Sequence, residues 1–127
     1  MKDGLKDKYR QAIIEILSAN ERVDRVVLFG SRAMQTHTPA SDVDLVLFGD
    51  RLRLTDQTRM AAAIEALTMP QRVDLLLHKH IDNEKLKEHI RTHGIIWFRG
   101  VPQIARFNVD GLVKSPDLIF KVYLVVL

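Results

Sequence analysis

Residues 28–48 read LFGSRAMQTHTPASDVDLVLF. An apolar run, Val26-Val27-Leu28-Phe29, stops at Gly30-Ser31. A ten-residue spacer, 32–41, leads to Asp42 and Asp44, which stand one residue apart inside a second apolar run. The pattern is a strand, a tight turn able to hold an anion, and a strand carrying paired carboxylates. Side chains two apart on a strand share a face, so Asp42 and Asp44 project together with Val43 and Leu45 on the other side.

Around this stretch, helical and extended patterns alternate. Leu5, Tyr9, Ala12, Ile13, Ile16 and Leu17 recur at three- and four-residue spacing and predict an amphipathic helix over 5–19, stopped at Asn20. Val23 to Phe29 reads as the first strand. A short helix begins near Ser31, Thr36 to Ser41 is a loop, and Asp42 to Phe48 is a strand apolar on both faces. Leu54 to Leu67 reads as a helix with Thr55 at its N-cap. Val73 to Leu77 is a third strand with Asp74 as its one charge. A further helix, capped by Asp82 or Asn83, runs to His93 and is closed by Gly94. Ile95 to Phe98 is a fourth strand. Strands alternating with helices indicate an α/β (α+β) layer structure, a small mixed sheet covered on at least one side.

The chain has 127 residues, enough for one domain with its own core. It has no cysteine, which excludes disulfides, thiol catalysis and zinc–thiolate sites. The net charge of +3 is mild, and no basic block interleaved with aromatics points to direct nucleic-acid binding. The start, MKDGLKDKYR, is charged and leads into no apolar segment, so no signal peptide is expected. No apolar run approaches the ~20 residues of a membrane span. The default compartment is the cytoplasm. The α/β pattern is complete by about Gly100, giving a domain over 1–100 and an extension over 101–127. Within the extension, Leu118 to Leu127 (LIFKVYLVVL) is strongly β-prone. It reads equally as an added strand, a dimer contact, a partner-binding segment or a sticky tail.

Two carboxylates side by side repel unless a cation lies between them. Hard oxygen ligands suit magnesium, which borrows further oxygens from substrate phosphates. Asp74, on a neighbouring buried strand, would complete a triad able to hold two ions about 3.5–4 Å apart, the arrangement used for in-line displacement at phosphorus. Taken alone, Asp74 could be satisfied by Arg72 or by a nearby helix terminus. Gly30 lets a phosphate approach the backbone. The Ser31 hydroxyl can donate to a phosphate oxygen and Arg32 can add a charged fork. Five histidines raise a metal reading that is discounted: His78 and His80 share one strand face but lack a third ligand, and His89 and His93, four apart on a helix, lack the HExxH context and read as solvated helix-face residues. Trp97 is read as core.

Gly-Ser, the spacer, Asp-x-Asp and the later strand Asp together resemble the nucleotidyltransferases of the DNA polymerase beta superfamily, and within it the minimal nucleotidyltransferase (MNT) family. The resemblance is carried by LFGSRA at 28–33, SDVDLVL at 41–47, RVDLLL at 72–77 and the closing KLKEHIRTHGIIWF, over roughly residues 10 to 99. It implies a mixed sheet with helices packed on one side. It also implies transfer of a nucleoside monophosphate, AMP foremost, from ATP or another triphosphate. In that reading Asp42 and Asp44 bind two magnesium ions, Asp74 binds the catalytic one and helps deprotonate the accepting hydroxyl, and Gly30 and Ser31 hold the β- and γ-phosphates. The family is often the antitoxin of a toxin–antitoxin module whose partner is a HEPN-domain ribonuclease, silenced by AMP on a tyrosine. A hetero-oligomer with such a partner follows from the resemblance. The family often continues Gly-Ser-Arg-Ala-Arg-Gly. Met34 and Gln35 replace the last two residues here, removing a triphosphate contact and a loop glycine. Two other functions fit the same residues: a module that neutralises its partner by contact alone, and a transferase acting on a small molecule of the aminoglycoside type.

Overall fold

The protein, a computed structural model that describes residues 2–100, is a four-stranded sheet with helices on its faces. Its elements are α1 (Asp7–Ser18), β1 (Arg25–Phe29), α2 (Ser31–Met34), β2 (Val43–Phe48), α3 (Leu54–Glu65), β3 (Val73–Leu77), α4 (Glu84–His93) and β4 (Ile95–Arg99). The extension over 101–127, with the strand, dimer or partner contact expected at Leu118 to Leu127, lies outside the described residues.

The strand order is β3-β2-β1-β4. β1 is central and antiparallel to both β2 and β4. The chain then crosses over through α3, so β3 lies parallel to β2, and the sheet is mixed as the motif reading expects. Alternation sorts the strands into two cores. Val26, Leu28, Val43, Leu45, Leu47, Leu75, Leu77 and Trp97 face α1 and α3, where Ile13, Leu17, Met60 and Ile64 meet them. Val27, Phe29 and Val46 face the other way and pack on Ile90 of α4 and Ile81. The expected one-sided helix layer is thus α1 with α3, and α4 adds cover on the opposite face. Each fully buried Leu or Ile contributes about 1.5–3 kcal/mol, and the strands nearest the carboxylates are among the most deeply buried segments.

Several local expectations are corrected. Leu5 is buried but lies before α1, because the Asp3 carboxylate accepts from the Leu5 N–H at 3.0 Å and Gly4 takes a positive φ. Asp3 is itself fully buried, held by two hydrogen bonds from Arg10 (2.6 and 2.9 Å). Asn20 is not the helix stop, which falls at Ala19 in a right-handed conformation. The Asn20 side chain instead accepts from Arg22 N–H and donates to Asp56. β1 is shorter than expected, starting at Arg25, and β2 starts at Val43, one residue past Asp42. α3 starts at Leu54, with Asp56 rather than Thr55 closing its first turn by accepting from the Arg53 N–H at 2.8 Å. Asn83 caps α4 as expected, accepting from Leu86 N–H. Gly94 does end α4, yet in an extended conformation. Its requirement is space: a Cβ there would lie 2.6 Å from Val27 Cγ1. Among the described residues no helix is long and apolar enough to cross a membrane.

Candidate active site

The site forms on the α4 face, where β1 ends and β2 and β3 begin. Parallel register places Asp44 directly beside Asp74, and antiparallel register places Phe29, the residue before Gly30, on the other side of Asp44. The motif's turn and its two separate carboxylate strands therefore meet because of sheet register. Asp42 precedes β2 and is exposed, while Asp44 and Asp74 are half-buried.

The electrostatics are those of crowded anions. Burial pushes the Asp44 carboxyl above the ordinary carboxylate range, and the neighbouring charges of Asp74 and Asp42 push it further the same way. Among the described residues no guanidinium or ammonium group pairs with Asp44. Asp74 has a cation, Arg72 Nε at 3.0 Å from Oδ1, on side chains that are 76% and 35% exposed. A pair so open to water contributes little. Among the described residues no three acidic or histidine side chains close into a ready metal cage. What is present is an open edge of carboxylates with an uncompensated member. That donor set fits a hard divalent cation completing its shell with water and substrate oxygens.

Gly30 closes the other side of the site. It adopts φ 76°, ψ −157°, a region that glycine alone enters without strain. A Cβ at this position would stand 2.3 Å from Asp44 Oδ2, so turn and carboxylate are packed against each other. Ser31 begins α2, a single turn. The N–H groups of Ser31 and Arg32 have no intrahelical acceptor by geometry, leaving them for an anion. Gln35 ends α2 in the left-handed conformation (φ 59°, ψ 31°), with the Thr36 N–H donating to Ser31 O at 2.9 Å. The glycine expected from the motif is thus replaced without loss of the turn, at a cost of about 1–2 kcal/mol for a left-handed side chain. Met34 is exposed.

Arg32 is not where the motif reading put it. It is 1% exposed and points away from the turn. Its Nη1 donates to Asp3 O at 2.8 Å, and its Nη2 and Nε donate to Ser41 O at 2.9 and 3.2 Å, with further bonds to Pro39 O and Thr38 O. The buried guanidinium clamps the 38–41 loop and the N-terminal segment. Its effect on the site is indirect: it holds the loop that delivers Asp42.

His89 was read as solvated and is corrected. It is half-buried, and its Nε2 accepts from the Gly30 N–H at 2.9 Å. The available signal was periodicity, since His89 lies three residues after Leu86 on the inward side of α4. His93 is exposed, as expected. His78 lies in a 3-10 turn rather than on a strand and stacks on Phe48 at 4.2 Å. Trp97 is in the core.

Comparison with known proteins bears on the family and the fold. The family description "Polymerase beta, Nucleotidyltransferase" matches residues 11–100. No curated protein matches the sequence significantly. Among solved structures, a toxin–antitoxin complex with AMP-PNP aligns at TM-score 0.61 and 19% identity, over 92% of this chain and 94% of that one. A tri-AMPylated Shewanella oneidensis HEPN toxin in complex with MNT antitoxin aligns at TM-score 0.58 and 17% identity, over 96% of each chain. An MntA–HepT toxin–antitoxin structure aligns at TM-score 0.56 and 17% identity, over 95% of this chain and 96% of that one. At these identities the likeness is one of fold.

Proposed function

The chain belongs to the polymerase beta nucleotidyltransferase family, and from that premise we propose that it transfers AMP from ATP to a hydroxyl on a partner protein. The observation that carries the reading is the in-register pair Asp44–Asp74 packed against the Gly30–Ser31 turn. The partner proposed is a HEPN-domain toxin, making this protein its antitoxin. Support for that choice comes from chains of similar fold seen with HEPN toxin and with AMP-PNP.

Asp42, Asp44 and Asp74 would hold two magnesium ions. When bound, these ions neutralise charge on the phosphates and organise in-line displacement. The remaining steps belong to the chain. The Gly30–Ser31 turn seats the β- and γ-phosphates, with the Ser31 hydroxyl and the first amides of α2 donating to their oxygens. Asp74 takes up the proton of the accepting hydroxyl. The freed oxygen bonds to the α-phosphorus, the α–β bridging bond breaks, and pyrophosphate leaves with that electron pair. Half-burial of Asp44 limits water around its carboxylate, which strengthens the charge interactions there.

Magnesium with ATP should raise the melting temperature by binding only the folded state. A protein carrying Asn at both 42 and 44 should show no such shift. Equal shifts in the two proteins would sink the assignment of these carboxylates. A reading as a contact-only binding module predicts that the same double variant still neutralises the toxin fully.

A further inference from the structure

β4 begins at Ile95, opposite Leu28, so β1 runs on past the end of its neighbour on that edge of the sheet. The Gly30 N–H therefore has no β4 carbonyl to meet. An unpaired backbone donor at a half-buried position is costly, and His89 removes the cost by accepting that N–H at Nε2, 2.9 Å away. The contact uses Nε2 of the imidazole as acceptor and the Gly30 N–H as donor. The ring is held in place. It stands edge-on to Phe29, centroids 6.2 Å apart at 76°, and beside the ring of His93 at 5.3 Å. The adjacent Ile90 is anchored in the core that contains Val27 and Phe29.

The consequence falls on the turn. Gly30 has more backbone freedom than any other residue type, yet its orientation decides where the Ser31 amide and hydroxyl point. We propose that His89 is a positioning residue for the phosphate-holding turn: its imidazole replaces the missing strand carbonyl and fixes Gly30–Ser31 for a triphosphate. The positioning role rests on the transferase reading above, whereas the hydrogen bond itself does not. A turn that holds the β- and γ-phosphates does so in the ground state and the transition state alike. Loosening it should therefore raise KM and leave kcat nearly alone.

The test compares wild type with His89→Gln, whose side-chain oxygen can accept, and His89→Phe, which keeps a ring but cannot. Without nucleotide, amide exchange at Gly30 is read by NMR. Protection is expected in wild type and in His89→Gln, with at least about tenfold faster exchange in His89→Phe. With ATP and magnesium, His89→Phe should raise the KM for ATP about tenfold or more with kcat within about threefold, and His89→Gln should recover most of the loss. Unchanged Gly30 exchange in His89→Phe overturns the proposal. So does a fall in kcat at constant KM, the mark of a merely reduced folded fraction. If wild type turns over no ATP while Gly30 protection still follows the acceptor, the transferase reading fails and the turn-holding bond stands.

Discussion

Replacing Asp44 by Asn should make the unliganded protein more stable while abolishing its activity. Asp44 and Asp74 sit on neighbouring strands in register, and neighbouring strands run about 4.8 Å apart. Two charges at about 5 Å repel by roughly 3 kcal/mol at an effective dielectric of 20 and by less than about 1 kcal/mol in water. Asp74 is 35% exposed and already paired with Arg72, so solvent screening places the net gain near the lower figure, about 1 kcal/mol. For a domain of this size that is a rise of about 3–6 °C in Tm. The pH dependence has a definite sign. Burial and neighbouring carboxylates raise the Asp44 pKa in the folded state, so folding favours the protonated form. The cost of Asp44 is absent below the ordinary carboxylate range, grows as pH rises through its folded pKa, and is complete above it. The Tm advantage of Asp44→Asn should therefore be full at pH 7 and vanish near pH 3. Scanning fluorimetry of both proteins across pH, in the absence of divalent cations, measures it. A variant equally or less stable at pH 7, or an advantage independent of pH, would refute the account of the site as crowded, uncompensated carboxylates.

Other substitutions probe the supports of the site. Gly30→Ala places a Cβ 2.3 Å from Asp44 Oδ2 at a φ of +76°. It should cost about 1–3 kcal/mol in a denaturant melt and remove nucleotide transfer. Arg32→Met strands the carbonyls of Asp3, Pro39 and Ser41. It should lower stability by about 3 kcal/mol or more at every nucleotide concentration. If Arg32 served the nucleotide instead, the variant would keep its Tm and lose ATP affinity alone.

Most of the site was legible in the sequence because it obeys local rules. Alternation predicts Asp42 and Asp44 on one face, although β2 starts only at Val43, and a glycine ending an apolar run marks the turn. Asp74 could be suspected as the lone charge of a buried strand, but only register places it beside Asp44. The residues that were misread share a different cause. Arg32 follows the Gly-Ser pair and looks like a phosphate ligand, yet what it meets are carbonyls from residues 3 and 38–41, set by tertiary packing. His89 lies 59 residues from Gly30, and no local pattern announces that one strand outruns its neighbour. Gln35 shows the converse. The motif calls for glycine, and the structure keeps the left-handed turn with a residue that tolerates it less well.

Isotope position decides whether AMP is the group that this protein transfers. The protein should be incubated with magnesium, ATP labelled at the α-phosphate, and the product of the neighbouring gene as candidate partner. Label should appear on a hydroxyl side chain of that partner, with release of pyrophosphate, and no label should appear with the Asp44→Asn protein. Label appearing from γ-phosphate rather than α-phosphate, or appearing equally with the Asp44→Asn protein, would contradict it.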